Sequence, residues 1–229
     1  MNVLITGANR GIGLELTKKM LIGGHYVYAT VRNRHEKGPL QDLLVAYPEH
    51  ISLHTVDAVV PEDWCRLSGM LADVCLDRLV INAGVALRHG PLGEINYTMM
   101  KDCFEVNTLG PLRCLEACIP ALKRGVEKKV FTITSKMGSL ADNSSGGAYA
   151  YRTSKTAVNS IMRSAAIDLR EHGIGVYLLH PGWVLTKMGG PNALITVEQS
   201  VDGMCNVMNK LDLQQTGSFW EWSGGRVPW

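Results

Sequence analysis

Apolar positions along the chain fall into short runs separated by longer stretches with helical spacing. Val3–Thr6, Tyr26–Val31, Ile51–Val56, Arg78–Ile81, Val130–Thr134, Gly175–His180 and Ser218–Trp222 read as strands. Gly11–Leu21, Leu40–Tyr47, Met99–Leu122 and Tyr151–Glu171 read as helices. Pro61 opens another, since its missing N–H falls where a helix has no internal partner. That helix carries Trp64, Leu67, Leu71 and Cys75 on one stripe. Thr196-Val197-Glu198-Gln199 has the form of a capping box and starts a further helix. Pro111 and Pro120 lie inside Met99–Leu122, so a kink or interruption is expected there. Val3–Ile5, Leu79–Ile81 and Val130–Ile133 are apolar or β-branched at consecutive positions, as in strands covered on both faces. Strands alternating with helices, without internal repeats, specify parallel βαβ units with right-handed crossovers. The expected fold is α/β, a doubly wound parallel sheet in three layers (α/β/α), and a single domain over residues 1–229.

Composition adds exclusions. Apolar residues make up 46% and charged residues 19% of the 229, which suits a compact globule. A net charge of +2 is too mild to call for a nucleic acid or a membrane as partner. No apolar run is long enough to span a bilayer, and the first residues lack the pattern of a secretory leader. Cys65, Cys75, Cys103, Cys114, Cys118 and Cys205 show neither C-x-x-C nor a metal-ligand spacing with histidine. They read as reduced thiols, with Cys114 and Cys118 one helical turn apart on a packed face, and the expected location is the cytoplasm.

Two stretches carry chemistry. The first is Thr6-Gly7-Ala8-Asn9-Arg10-Gly11-Ile12-Gly13, between the first strand and the first helix. Glycines there allow a tight turn and the close approach of a pyrophosphate to backbone N–H groups at a helix N-terminus. In a Rossmann-type sheet an acid at the end of the second strand reads the ribose diol of NAD(H). Here that segment is Ala29-Thr30-Val31-Arg32-Asn33-Arg34, with no acid before Glu36. Arg32, with Arg10 in the turn, suits a 2′-phosphate, so NADP(H) is the expected cofactor.

The second stretch is Ser135–Lys155. A strand delivers Ser135, a polar Gly/Ser loop follows, and a helix presents Tyr151 and Lys155 one turn apart on one face. Hydride transfer to a carbonyl builds negative charge on oxygen, which calls for a hydrogen-bond donor and a proton source. Tyr149 has Thr153, not lysine, four residues on and reads as a packing or pocket residue. Ser139 competes with Ser135 for the substrate oxygen. His89 and His180 are the other candidate acid/base groups, and His180 reads as a strand-end residue before Pro181-Gly182.

With T-G-x-x-x-G-x-G, Asn82-Ala83-Gly84, a serine after the fifth strand, Tyr151-x-x-x-Lys155 and Pro181-Gly182 in order, the chain resembles the short-chain dehydrogenase/reductase family. The phrases A-D-N-S-S-G-G-A-Y-A-Y-R-T-S-K and H-P-G-W-V-L-T-K-M-G-G-P are similar to the C-factor and sniffer-type carbonyl reductases. The resemblance implies that Gly7, Asn9, Gly11 and Gly13 shape the pyrophosphate turn and that Ile12 lies along the cofactor. It implies that Asp57, with Ala58, meets the adenine, and that Asn82, Ala83 and Gly84 line the adenosine ribose. It casts Asn107 as holding a water in a proton relay and Ser135 as binding the substrate oxygen. Tyr151 would be the proton donor, and Lys155 would contact the nicotinamide ribose and lower the tyrosine pKa. Reaching 7 from the ordinary value near 10 would take roughly 4 kcal/mol. Pro181, Gly182, Val184 and Thr186 would cover the nicotinamide, with Trp183, Met188 and Gly189-Gly190-Pro191 in a lid over an apolar pocket. Ser135 stands sixteen residues before Tyr151 and Ser139 twelve, against about thirteen in the family, so the loop is expected to carry an insertion.

The implied activity is NADP(H)-dependent reduction of a small-molecule carbonyl, with no metal. A nucleotide-binding signalling role is the alternative. The resemblance also implies a homodimer or tetramer built on the two long helices.

Overall fold

The computed structural model describes residues 1–35, 38–87 and 91–229. Seven parallel strands form one sheet in the order β3-β2-β1-β4-β5-β6-β7. They are β1 (Asn2–Thr6), β2 (Tyr26–Val31), β3 (Ile51–Thr55), β4 (Arg78–Ile81), β5 (Lys129–Ile133), β6 (Gly175–His180) and β7 (Ser218–Glu221). The helices are α1 (Gly11–Ile22), α2 (Pro39–Ala46), α3 (Pro61–Met70), α4 (Tyr97–Phe104), α5 (Gly110–Arg124), α6 (Tyr149–Asp168) and α7 (Val197–Lys210). The expected doubly wound α/β/α architecture is the one observed.

Alternation along each strand sorts the core into two layers. Val3, Ile5, Val27, Val80, Phe131, Tyr177 and Leu179 pack with Leu16, Met20, Met204 and Met208 of α1 and α7. Leu4, Leu79, Ile81, Val130, Leu178 and Phe219 face the other way, against Leu67, Leu115, Leu122, Val158 and Met162 of α3, α5 and α6. Strand order reverses direction between β1 and β4, so the crevice outside their carboxyl ends is where this topology accepts a ligand.

Several boundaries differ from expectation, most by one to three residues. The helix predicted over Met99–Leu122 runs from Tyr97 to Arg124 and contains a wide π turn at Glu105–Leu109. Pro111, two residues past that turn, has no N–H for an i→i−4 bond, and the turn before it absorbs the mismatch. Pro120 leaves the helix unbroken. It and Glu116, whose carbonyl it orphans, both lie on the exposed face, where water can satisfy that carbonyl. The stripe of α3 ends at Leu71, and Cys75 lies beyond the helix, exposed. The capping box forms as expected: Gln199 N donates to Thr196 Oγ1 at 3.2 Å and Thr196 N to Gln199 Oε1 at 3.0 Å. Among the described residues no helix is long and apolar enough to cross a membrane.

One ion pair lies under the amino ends of the strands. Arg78 is 5% exposed. Its Nε and Nη2 donate to the two carboxylate oxygens of Glu127 at 2.5 and 3.0 Å, and Nη1 donates to Asn209 Oδ1 at 3.0 Å. The guanidinium holds the Glu127 carboxyl below the usual carboxylate range. Because the folded pKa is depressed, this contribution is present above the ordinary value near 4.3 and is lost as pH falls through the folded value. Glu127→Ala, which strands a buried guanidinium, is expected to cost about 2 kcal/mol in urea denaturation at pH 7. That deficit should shrink as pH falls through the depressed folded value, where the wild type loses the pair as well.

Candidate active site

The crevice is built from strand ends. Ala8 N donates to Thr30 O at 3.1 Å, tying the turn after β1 to the end of β2. A methyl group on Gly13 would run into Gly7 O, so only glycine lets α1 start this close to the turn. Thr6 joins β1 to β4: its Oγ1 accepts from Asn82 N at 2.9 Å and from Ala83 N at 3.0 Å. The Asn82 amide donates to Thr6 O at 2.9 Å and to Gly7 O at 3.3 Å. Asn82 thus braces the glycine turn.

Arg10 caps the start of α1 and Arg32 follows β2; both are exposed. Among the described residues neither guanidinium has an acidic partner. Asp57 stands past the end of β3, with Oδ1 accepting from Val59 N at 3.2 Å. Beside it, Ala58 O accepts from Trp64 Nε1 at 3.2 Å. Asn9 and Ile12 are both partly buried in the turn and first residues of α1.

At the other end, the Ser135 hydroxyl stands beside the Tyr151 phenol and acts to hold its pKa down. Ser139 is not part of this pair: its hydroxyl donates to Trp229 O at 3.0 Å and accepts from Asp142 N at 3.1 Å. Ser135 is held by the loop it begins. Gly138 N donates to Ser135 O at 2.8 Å. Gly138 O accepts from Thr156 Oγ1 at 3.0 Å and from Asn159 Nδ2 at 3.3 Å, both on α6. A methyl group at Gly138 would sit 2.8 Å from the Lys155 backbone carbon.

Lys155 is 6% exposed, and its ammonium donates to Ile133 O at 3.1 Å. It lies 5.8 Å from the centre of the Tyr151 ring. Burial pushes Lys155 down to about 8. Burial also pushes the Tyr151 phenol up to about 12, with the Ser135 hydroxyl acting in the opposite sense. The lowering toward 7 expected from the lysine would have to act against this burial.

Asn107 sits in the π turn, fully buried. Its Oδ1 accepts from Val85 N at 2.8 Å, and its amide donates to Val85 O at 2.8 Å and Ser154 Oγ at 3.1 Å. Ser154, which the sequence reading passed over, donates to Tyr151 O at 2.8 Å and accepts at its own carbonyl from Thr108 Oγ1 at 2.9 Å. It therefore locks α6 to the π turn. A hydroxyl three residues after Tyr151 on the same helical face was the available signal. A methyl group on Gly84 would stand 3.1 Å from Asn107 Oδ1 and 3.6 Å from Lys155 Nζ, so the chain after β4 passes directly beside the pair.

The two ends meet through the segment after β6. Gly182 has φ +87 and backs onto the Trp222 indole. Val184 bridges Ile195, and Trp183 Nε1 donates to Gly189 O at 2.8 Å, closing a compact turn. Thr186 reaches the phosphate turn, where a methyl group on Gly11 would lie 3.4 Å from its Cγ2. Pro181 O accepts from Ser200 Oγ at 2.5 Å, anchoring the segment to α7. His180 stands at the end of β6, where burial pushes its imidazole down to about 4. Its Nδ1 has no partner among the described residues. His89 lies outside the described residues.

The short chain dehydrogenase family profile matches residues 1–193, and the chain belongs to that family. It is 47% identical to the C-signal of Myxococcus xanthus over 154 residues, 67% of this chain and 93% of that protein. Its fold superposes on the carbonyl reductase Sniffer of D. melanogaster with a TM-score of 0.94 at 32% identity, covering 100% of this chain and 99% of the other. The NADPH-bound carbonyl reductase from chicken fatty liver gives 0.92 at 32% identity, covering 100% and 98%.

Gly138→Ala is expected to cost about 2 kcal/mol, because the close contact with α6 is backbone to backbone and cannot yield cheaply. Thermal unfolding of the two proteins side by side checks this; an unchanged melting temperature would mean that the loop is not seated on Lys155.

Proposed function

We infer that the protein is an NADP(H)-dependent oxidoreductase that reduces the carbonyl of a small molecule, an aldehyde, ketone or quinone, to an alcohol. The observation that carries this reading is the buried Lys155 ammonium 5.8 Å from the centre of the Tyr151 ring, with the Ser135 hydroxyl beside the phenol. Both stand at the end of a crevice whose other end is a glycine turn. The turn and the N-terminus of α1 fit a pyrophosphate, since Gly13 leaves no side chain between the helix and the turn backbone. Arg10 and Arg32, exposed at neighbouring strand ends without acidic partners among the described residues, fit a 2′-phosphate. Asp57 and Ala58 would border the adenine, and Pro181 to Thr186 would close over the nicotinamide. Bound NADPH supplies the hydride.

The chain's own residues manage the proton. Ser135 donates a hydrogen bond to the substrate oxygen and orients it toward Tyr151. As charge builds on that oxygen, Tyr151 gives up its phenolic proton. A phenol pushed up to about 12 remains a proton donor at neutral pH. Transfer from it to an alkoxide, about as basic as hydroxide at ~16, is downhill. Lys155, charged below about 8, stabilises the phenolate left behind. Asn107 and Ser154 hold the helix that carries both groups.

A second reading, a nucleotide-binding signalling protein, draws on the identity with the C-signal. Consumption of NADPH with a panel of aldehydes, ketones and quinones separates the two. Tyr151→Phe is expected to lower turnover by at least about 100-fold while NADPH binding persists. Wild type and variant sharing the same null result would favour signalling. Reduction should slow as pH rises through about 8, where Lys155 loses its charge; a pH–rate profile flat to pH 10 would remove Lys155 from the mechanism. Arg32→Ala should weaken NADPH at least about tenfold, the loss of one charge-assisted contact, and leave NADH unchanged by fluorescence titration. For assembly, a homodimer or tetramer through the outer faces of α4, α5 and α6 remains the proposal, where Tyr97 and Ile167 are exposed.

A further inference from the structure

After β7 the chain turns back along its own edge. Glu221 N donates to Gly225 O at 2.9 Å, Trp220 pairs antiparallel with Arg226, and Val227 N donates to Phe219 O at 2.9 Å. The Arg226 guanidinium lies 4.0 Å from the Trp220 ring centre, and the Trp229 ring lies 5.7 Å from that of Phe219. Val227 is buried in the core layer beneath α6. The segment therefore has a fixed path, and it brings the Trp229 main-chain oxygen against the loop that joins Ser135 to Tyr151. Three donors from three consecutive residues converge on that oxygen. Leu140 N is at 2.7 Å, Ala141 N at 3.0 Å and Ser139 Oγ at 3.0 Å.

The far end of the same loop is fixed separately. Arg152 donates from Nη2 to Ser145 Oγ at 2.8 Å and from Nε to Gly146 O at 3.2 Å. The loop then enters α6 through Gly146, Gly147 and Ala148, all with positive φ. Ser139 is 1% exposed, so its hydroxyl is committed to this junction and not to the crevice.

We propose that Trp229 is a positioning residue for the substrate side of the site. Seated on Phe219, it presents its main-chain oxygen to Ser139, Leu140 and Ala141 and so sets the path of the loop from Ser139 to Ala148 at the mouth of the site. The proposal rests on the reductase reading above. Ser135 is held independently through Gly138 and α6. The latch therefore governs how a carbonyl is received, and proton transfer is left intact.

The test combines amide hydrogen exchange with steady-state kinetics on the full chain, using Trp229→Ala, Trp229→Phe and Ser139→Ala. In Trp229→Ala, exchange at Leu140 and Ala141 should rise at least about tenfold, as expected when one hydrogen bond's worth of protection is lost. KM for the carbonyl should rise about fivefold, with kcat and the NADPH Kd held within about twofold. Ser139→Ala should move KM the same way by less, and Trp229→Phe should restore both values. Unchanged exchange at Leu140 and Ala141 overturns the latch. A joint fall of kcat, NADPH affinity and melting temperature without a selective rise in KM reduces Trp229 to a packing residue and also overturns it. A wild type that binds NADPH but reduces no carbonyl overturns the reductase reading and the KM role with it, while the exchange result still decides whether the latch holds the loop.

Discussion

Burying the Lys155 ammonium is the constraint around which this end of the molecule is arranged. A charge taken out of water is expensive unless it is met by hydrogen bonds, and the protein meets this one with the Ile133 carbonyl at the end of β5. That bond ties the start of α6 to the sheet. Gly138 then has to pass against the Lys155 backbone, which brings Ser135 to the phenol, and Gly84 has to lack a side chain where the chain after β4 passes the ammonium. Ser154 fastens the same helical turn to Asn107 from the opposite side. Two strand ends and a π turn are thus gathered around one desolvated charge, and the Tyr151 phenol and its neighbours are held in place as a result.

The opposite end of the crevice is organised by backbone alone. Glycines remove side chains from a helix start, and Thr6 and Asn82 spend their polar atoms fastening two strands to each other. A site made of N–H groups and two guanidinium groups without acidic partners among the described residues suits a polyanion. A site made of a phenol, a hydroxyl and an ammonium suits a polarised carbonyl. Thr186 closes the gap between them by resting on the glycine turn.

Much of this was legible in the sequence because periodicity and glycine placement are local properties. The seven strands, the doubly wound parallel class and the Tyr151–Lys155 pairing follow from spacing and alternation. What escaped is non-local. Ser135 and Ser139 look alike in a loop of uncertain length, and only the fold shows one facing Tyr151 and the other facing a residue ninety positions away. Pro111 and Pro120 carry the same local penalty, yet one stands beside a π turn and the other in an unbroken helix, because the orphaned carbonyl of the second faces solvent. The direction of the Tyr151 shift escaped as well, since a lysine four residues on announces a charge but not the burial that outweighs it.

The π turn has a geometric consequence of its own. Each residue of an α-helix advances the side chains by about 100° around the axis, so one extra residue in a turn puts the segments on either side out of phase. With that offset, α4 directs Cys103 and the turn directs Asn107 toward α6, while α5 aims Cys114 and Cys118 into the core layer shared with α3. A single rod in uniform phase cannot serve both partners with these residues. The inserted residue works as a rotational coupling between the packing of α5 and the placement of α6, and its removal would turn one against the other.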